Sequence, residues 1–358
     1  MDAHEAEREE LCGADLTGRN FARAKLVGRD LGGANLSGAN LADADLEDAD
    51  LSDADLRGAN LRGANLRGVD LTGSLLAGAD LRGARLVQTC LTNVDLTEAK
   101  LAGADFTEAD LQGVSLAAQD LTGAVFEDAV LDEAYLVDAL LDGARFVDAQ
   151  LDHTNLSRAS LKDADFRTAV LTATVLIDAV LDGARFDDAL AEKGVWTGAS
   201  LKRARLVNAV VTGTDLSGCD LHRANLTGAI LDRSSFHGAN MEDVEAPDTS
   251  FAFADLCDAN LTRADLLRAS LVGADIDGAR LEKTDLTEAD LYWTTLTPER
   301  LRRCTTTDAR LPEESTVVYG PKTVTPPVVT RKPPYPRPLD DAERRAKAAE
   351  RSRAGAPG

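Results

Sequence analysis

The chain has 358 residues and is strongly acidic, with 61 Asp/Glu against 39 Lys/Arg and a formal charge of −22. That balance argues against a direct nucleic-acid binder, whose affinity comes from releasing phosphate counterions. No apolar stretch is long enough to span a bilayer and no signal peptide opens the chain, so a cytoplasmic protein is expected.

Residues 1–10 are charged and read as a short helical cap or a frayed end. From Leu11 to Leu296 an apolar residue recurs at every fifth position, as in Leu11, Leu16, Phe21, Leu26 and Leu31. Calling this position i, the residue at i−2 is small (Ala34, Ala39, Ala44) and i−1 is often Asp or Asn (Asn35, Asn40, Asp45). Strand alternation turns i−2 and i to one face and i−1 to the other. Gly is frequent at i+2, as at Gly58, Gly63 and Gly68, where a type II turn needs positive φ. A helix is excluded, because five does not match 3.6.

A five-residue strand-and-corner unit cannot bury its own apolar face. Stacked copies can. Four units would make a coil of about twenty residues, with parallel strands about 4.8 Å apart and a column on the order of 70 Å long. The quoted repeat resembles the pentapeptide-repeat family, and the resemblance implies an all-β, right-handed quadrilateral parallel β-helix. The period alone leaves other coil sizes open.

Several positions depart from the pattern. Arg19 and Arg29 take i−2 slots, which predicts an open or irregular first coil, and Gln119 does the same further along. Ala191 replaces the large core residue before Trp196, and Met241 and Ala246 precede Phe251, with Pro247 nearby. Each suggests a local bulge or a bent coil. No insertion breaks the register, so no long loop is expected. Asn20, Asn40 and Asn60 align as an amide ladder.

Two outward surfaces stand out. Asp43, Asp45, Glu47, Asp48, Asp50, Asp53 and Asp55 form an acidic belt, and Glu127, Asp128, Asp132, Glu133, Asp138 and Asp142 form a second ring. The i−1 ladder through Asp30, Asp50, Asp70, Cys90 and Asp110 turns apolar at Val130, Val170, Leu190, Val210 and Ile230, with Val175 and Val195 beside it. A strip of that extent is unusual on a lone monomer. It reads as a homodimer face, a groove for another protein, or a β-prone surface.

Beyond the repeats, Thr297-Pro298 predicts a helix start, with Thr as N-cap and Pro at the first helical position. Residues 297–316 are taken as a cap with Leu311 touching the column. Residues 317–358 read as a Pro-rich, then charged, flexible tail. Residues 301–358 carry 12 Lys/Arg against 7 Asp/Glu, so the column holds the acid excess.

No catalytic, cofactor or metal residues emerge. His4, His153, His222 and His237 share no ladder, and GxGxxG, GxxxxGK[ST] and HExxH are absent. Cys12, Cys90, Cys219, Cys257 and Cys304 lack CxxC spacing, as in a reducing compartment. The chain reads as a non-enzymatic acidic interaction protein. Some members of the family it resembles mimic duplex DNA and protect DNA gyrase or topoisomerase IV from quinolones. That implies a type II topoisomerase partner and an antibiotic-resistance role. The alternative is an interaction scaffold using the apolar strip and the tail.

Overall fold

The computed structural model describes residues 11–92 and 94–312. The expectations for residues 1–10 and 317–358, and for the end of the cap, lie outside them. Every β-bridge is parallel and joins residues twenty apart, from Asp15↔Asn35 to Asp290↔Arg310. That spacing selects the four-sided coil, since each turn of chain contributes one bridge to each of four walls. We number the walls from their first bridged residues: Asp15, Asn20, Lys25 and Asp30.

Within each repeat the i residue points into the column and is buried. Its carbonyl accepts the N–H three residues on, as in Ala14 N→Leu11 O at 3.1 Å. The i+2 residue has φ near +60° whether it is glycine or not, as at Gly63 (φ 67°) and Asp43 (φ 56°). These are type II corners. At Gly63 the absence of a side chain also matters, because a Cβ there would lie 2.6 Å from Asp43 Oδ1 in the coil before.

The core is a set of side-chain ladders. Phe106, Phe126, Phe146, Phe166 and Phe186 stack at 4.7–5.0 Å with their planes within 5°. The coil rise sets this spacing, which suits ring stacking. Most polar residues in the i−2 slots are satisfied by one recurring bond to a core carbonyl 23 residues earlier; Ser74 Oγ is buried without a partner, and Thr294 Oγ1 donates to Leu291 O of its own corner. Thr154 Oγ1 donates to Leu131 O at 2.7 Å, Ser234 Oγ to Val211 O at 2.7 Å and Thr249 Oγ1 to Leu226 O at 2.7 Å. Buried Cys219 makes the same contact with Trp196 O, and burial pushes its thiol pKa up to about 12.

The irregular positions resolve differently from expectation. The first coil is regular: Arg19 N and Arg29 N close their corners on Leu16 O and Leu26 O. Their side chains stay exposed and half-buried, since a long aliphatic stem can carry its charge out to water. The Met241 corner closes on Val244 N and the ladder continues through Glu245 and Ser250, and Pro247 fits because i+1 is the repeat's one N–H without a backbone acceptor. At Ala246 the carbonyl receives no bond from Thr249 N, and the corners at Ala191 and Val211 open as well. At these last two Gly194 N donates to Thr214 Oγ1 and Thr214 N to Ser234 Oγ instead. Trp196 fills the volume that Ala191 leaves, and a Cβ at Gly194 would lie 2.6 Å from its Nε1.

Between the coils at 94–100 and 114–120 the first two walls part. Neither Asp95 and Ser115 nor Lys100 and Asp120 form a bridge, while Arg85↔Asp105 and Cys90↔Asp110 persist on the other walls. A cleft of about 360 Å³ lies there, lined by Val94, Leu96, Glu98, Ala118 and Gln119 among others. Val94, Val114 and Gln119 place three large side chains in i−2 slots of two adjacent coils, where most repeats hold Ala; single valines at Val69 and Val244 leave their walls bridged, and it is the crowding of three that pushes the backbones apart.

Helix α1 (Pro298–Leu301) is a single turn. Pro sits at its start as expected, but the Thr297 side chain makes no capping bond. The ladder runs past Leu296, because Thr305 and Arg310 pair with Asp285 and Asp290 after α1. Leu311 is exposed rather than seated on the column.

Candidate interaction surfaces

The i+1 N–H donates to no backbone carbonyl within the repeat. The i−1 side chain supplies the acceptor. Asp30 Oδ1 takes Gly32 N at 3.0 Å, Asp50 Oδ1 takes Ser52 N at 2.9 Å and Asp70 Oδ1 takes Thr72 N at 2.9 Å. These are Asx turns, and they explain why Asp and Asn dominate i−1. The bonds from the Ser52 hydroxyl and N–H hold the Asp50 carboxyl below its ordinary pKa, so capping and permanent charge go together. Sequence reasoning took these residues as outward charges only; their two-residue spacing from the turn N–H was the available signal.

The acidic belt lies around one coil. Asp43, Asp48 and Asp53 sit on three successive corners, all at positive φ, and lean over Gly63, Gly68 and Gly73 of the next coil. Asp45, Asp50 and Asp55 sit on the walls that follow these corners. Asp45 Oδ1 and Glu47 Oε2 both accept from Asn65 Nδ2, at 2.9 and 3.2 Å. Asp55 is paired with Arg57 at 2.6 Å, which holds its carboxyl pKa down. On the fourth wall the belt crosses an axial acidic ladder, Asp30↔Asp50↔Asp70. Asp50 belongs to both.

Higher on the same wall the bridges run Val130↔Gln150↔Val170↔Leu190↔Val210↔Ile230. Val175 and Val195 pair on the adjoining first wall. Val195 is exposed and the other six apolar residues are half-buried. Val, Leu and Ile carry no oxygen and cannot cap the corner that follows. Acidic residues at i+1 of the preceding coil supply this acceptor at the corner after Val170, and also after Gln150 and Ser250. Asp132 Oδ1 accepts Asp152 N at 2.9 Å, Asp152 Oδ1 accepts Thr172 N at 3.1 Å and Asp232 Oδ1 accepts Ala252 N at 3.1 Å. Burial, with the neighbouring Asp152 and Glu133 charges, raises the Asp132 pKa.

The amide ladder is present, with Asn40 Nδ2 donating to Asn20 Oδ1 at 3.0 Å and Asn60 Nδ2 to Asn40 Oδ1 at 2.9 Å. Among the described residues no group of three or more His, Cys, Asp or Glu is arranged to hold a metal ion. No helix among them is long and apolar enough to cross a membrane.

The sequence profile described as Pentapeptide repeats (8 copies) matches ten overlapping blocks from 20–58 to 264–297, leaving only 244–248 unmatched between them. The chain belongs to the pentapeptide-repeat family, and its column is that family's right-handed quadrilateral β-helix. No curated protein matches it. Similar solved structures include HetL, a pentapeptide repeat protein involved in heterocyst differentiation regulation from the cyanobacterium Nostoc. It is 28% identical over 80% of this chain and 93% of its own, with a TM-score of 0.22. QnrB1, a plasmid-mediated fluoroquinolone resistance protein, is 16% identical over 46% of this chain and 85% of its own, with a TM-score of 0.35. A pentapeptide repeat protein of the Arabidopsis thaliana thylakoid lumen is 34% identical over 28% of this chain and 71% of its own, at 0.21.

Proposed function

We propose that this protein acts without catalysis, in the cytoplasm, by presenting fixed negative charge to a DNA-binding protein, with a type II topoisomerase such as gyrase or topoisomerase IV as the partner. The observation that carries the reading is the crossing of belt and axial ladder at Asp50. Residues 31–50 hold five carboxylates and no basic side chain, and the Asp30, Asp50 and Asp70 carboxylates are each held by a corner N–H. A row of immobilised charges one coil apart, about 4.8 Å, offers a basic saddle what a phosphate backbone offers, at a spacing of the same order. Preset orientation lowers the entropy cost of binding.

Supercoiling by purified gyrase, followed over a titration of this protein with and without a quinolone, tests the reading. Inhibition or drug protection is expected, and it should weaken in an Asp45→Asn/Asp50→Asn variant, which keeps a side-chain oxygen for Asn65 Nδ2 at position 45 and for Ser52 N at position 50. Unchanged supercoiling throughout the titration overturns it.

A further inference from the structure

We infer that the apolar stretch of the fourth wall, from Val130 to Ile230, is a docking track for an amphipathic helix of a partner protein whose flanks are basic. This surface is separate from the belt and does not depend on the topoisomerase reading.

At Val130, Val170, Leu190, Val210 and Ile230 the repeat gives up the Asp or Asn that caps its corner, and it does so along one bridged ladder. Losing a capping bond works against the column's own stability; at Val170 the coil before makes it good, with Asp152 Oδ1 accepting Thr172 N. The five coil steps from Val130 to Ile230 span about 24 Å, the length of roughly sixteen helical residues. One helical turn rises 5.4 Å, close to the coil rise of about 4.8 Å. A helix lying along the axis therefore sets nearly one apolar residue per turn against one rung per coil.

Charge selects among occupants. Along the two corners that edge this wall, between residues 127 and 233, ten carboxylates stand against Arg167, Lys193 and Arg233; Glu127 pairs with Arg145, and Asp187 with Arg185 and Arg205, so the other eight hold the acid excess. Arg167 is already paired with Asp165 at 2.6 Å. Asp128, Asp148 and Asp188 lie on one edge, Asp132, Asp152 and Asp232 on the other. A second copy placed face to face would bring acid against acid, which is costly. A helix with lysine or arginine beside its apolar stripe meets opposite charge on both sides.

The test uses two eighteen-residue lysine-flanked helical peptides on the full chain. One carries leucine at i, i+4, i+7 and i+11; the other carries glutamine there, with equal charge and similar helix propensity. Fluorescence anisotropy should show at least tenfold tighter binding of the leucine peptide. Val170→Asn with Val210→Asn should abolish that preference at unchanged net charge. These variants restore the repeat's own i−1 residue type, so the column folds, as a melting temperature at or above that of wild type will report. Equal binding of the two peptides, or a preference that survives the double substitution, overturns the inference. So does a dimer seen by light scattering that the double substitution dissociates, since the occupant is then a second copy.

Discussion

The Asp50 carboxylate accepts two bonds from Ser52, from its N–H at 2.9 Å and its hydroxyl at 2.6 Å. One side chain thereby closes a corner of the column and carries a charge on its surface. Stability and recognition are thus coupled at the i−1 position, and a substitution must be chosen to separate them.

Asp50→Asn keeps an oxygen for the Ser52 N–H and removes the charge; Asp50→Ala removes both. Thermal unfolding at neutral pH is expected to place Asp50→Asn between wild type and Asp50→Ala, since the cap is kept and the charge is lost. Asp50→Ala should be destabilised by about 0.5–1.5 kcal/mol. Equal destabilisation of the two would show that the charge, not the cap, holds the corner.

The pH response of this carboxyl has a definite sign. Its folded pKa is lowered by the Ser52 bonds, so its contribution is complete above the unfolded value of about 3.9 and is lost as pH falls through the folded value. Asp132 runs the other way. Burial raises its folded pKa, so its contribution declines as pH rises from the unfolded value through the folded one. Asp132→Asn, which still accepts Asp152 N–H, is expected to melt higher than wild type at neutral pH. The two curves should converge toward pH 3, and a gap that persists in acid would place the effect elsewhere.

Around Trp196 the column trades volume between neighbouring coils. Gly194→Ala would set a methyl 2.6 Å from the buried indole nitrogen and 3.2 Å from Thr174 O. Overpacking of this kind costs about 1–3 kcal/mol. Gly213→Ala, with nothing within 4 Å, meets only the cost of its positive φ. Chemical denaturation of both variants should rank Gly194→Ala as the more damaging.

The parted walls near Gln119 predict a dynamic signature. Amides of Leu96, Leu101, Ser115 and Asp120 lack the ladder bonds that their counterparts make in neighbouring coils. Hydrogen exchange should be faster there than at Leu116 or Leu121, which donate to Tyr135 O and Leu140 O. Gln119→Ala, which returns the slot to its usual size, is expected to slow exchange and raise the melting temperature. No change in either would leave Val94 and Val114 as the wedge.

The fold was legible because the five-residue pattern leaves little choice. Inward i and i−2, a polar corner and Gly at i+2 determine a strand-and-corner unit that can be buried only by stacking. The departures at Ala191 and Trp196 were visible as well, but their outcome was not. Whether a missing leucine becomes a bulge or is filled depends on Trp196, Gly194 and Thr214, which come together only when coils stack. The acidic positions were legible as outward residues, and the apolar ladder as a surface strip. Their hydrogen bonds were not, because the acceptor for an i+1 N–H comes from the same coil at Asp50 and from the coil before at Asp132. The sequence by itself determined a stacked, acidic, five-residue solenoid. Only the tertiary structure decided the twenty-residue coil, the corners that open and which carboxylates are spent on the backbone, since each of those depends on contacts between residues about twenty apart.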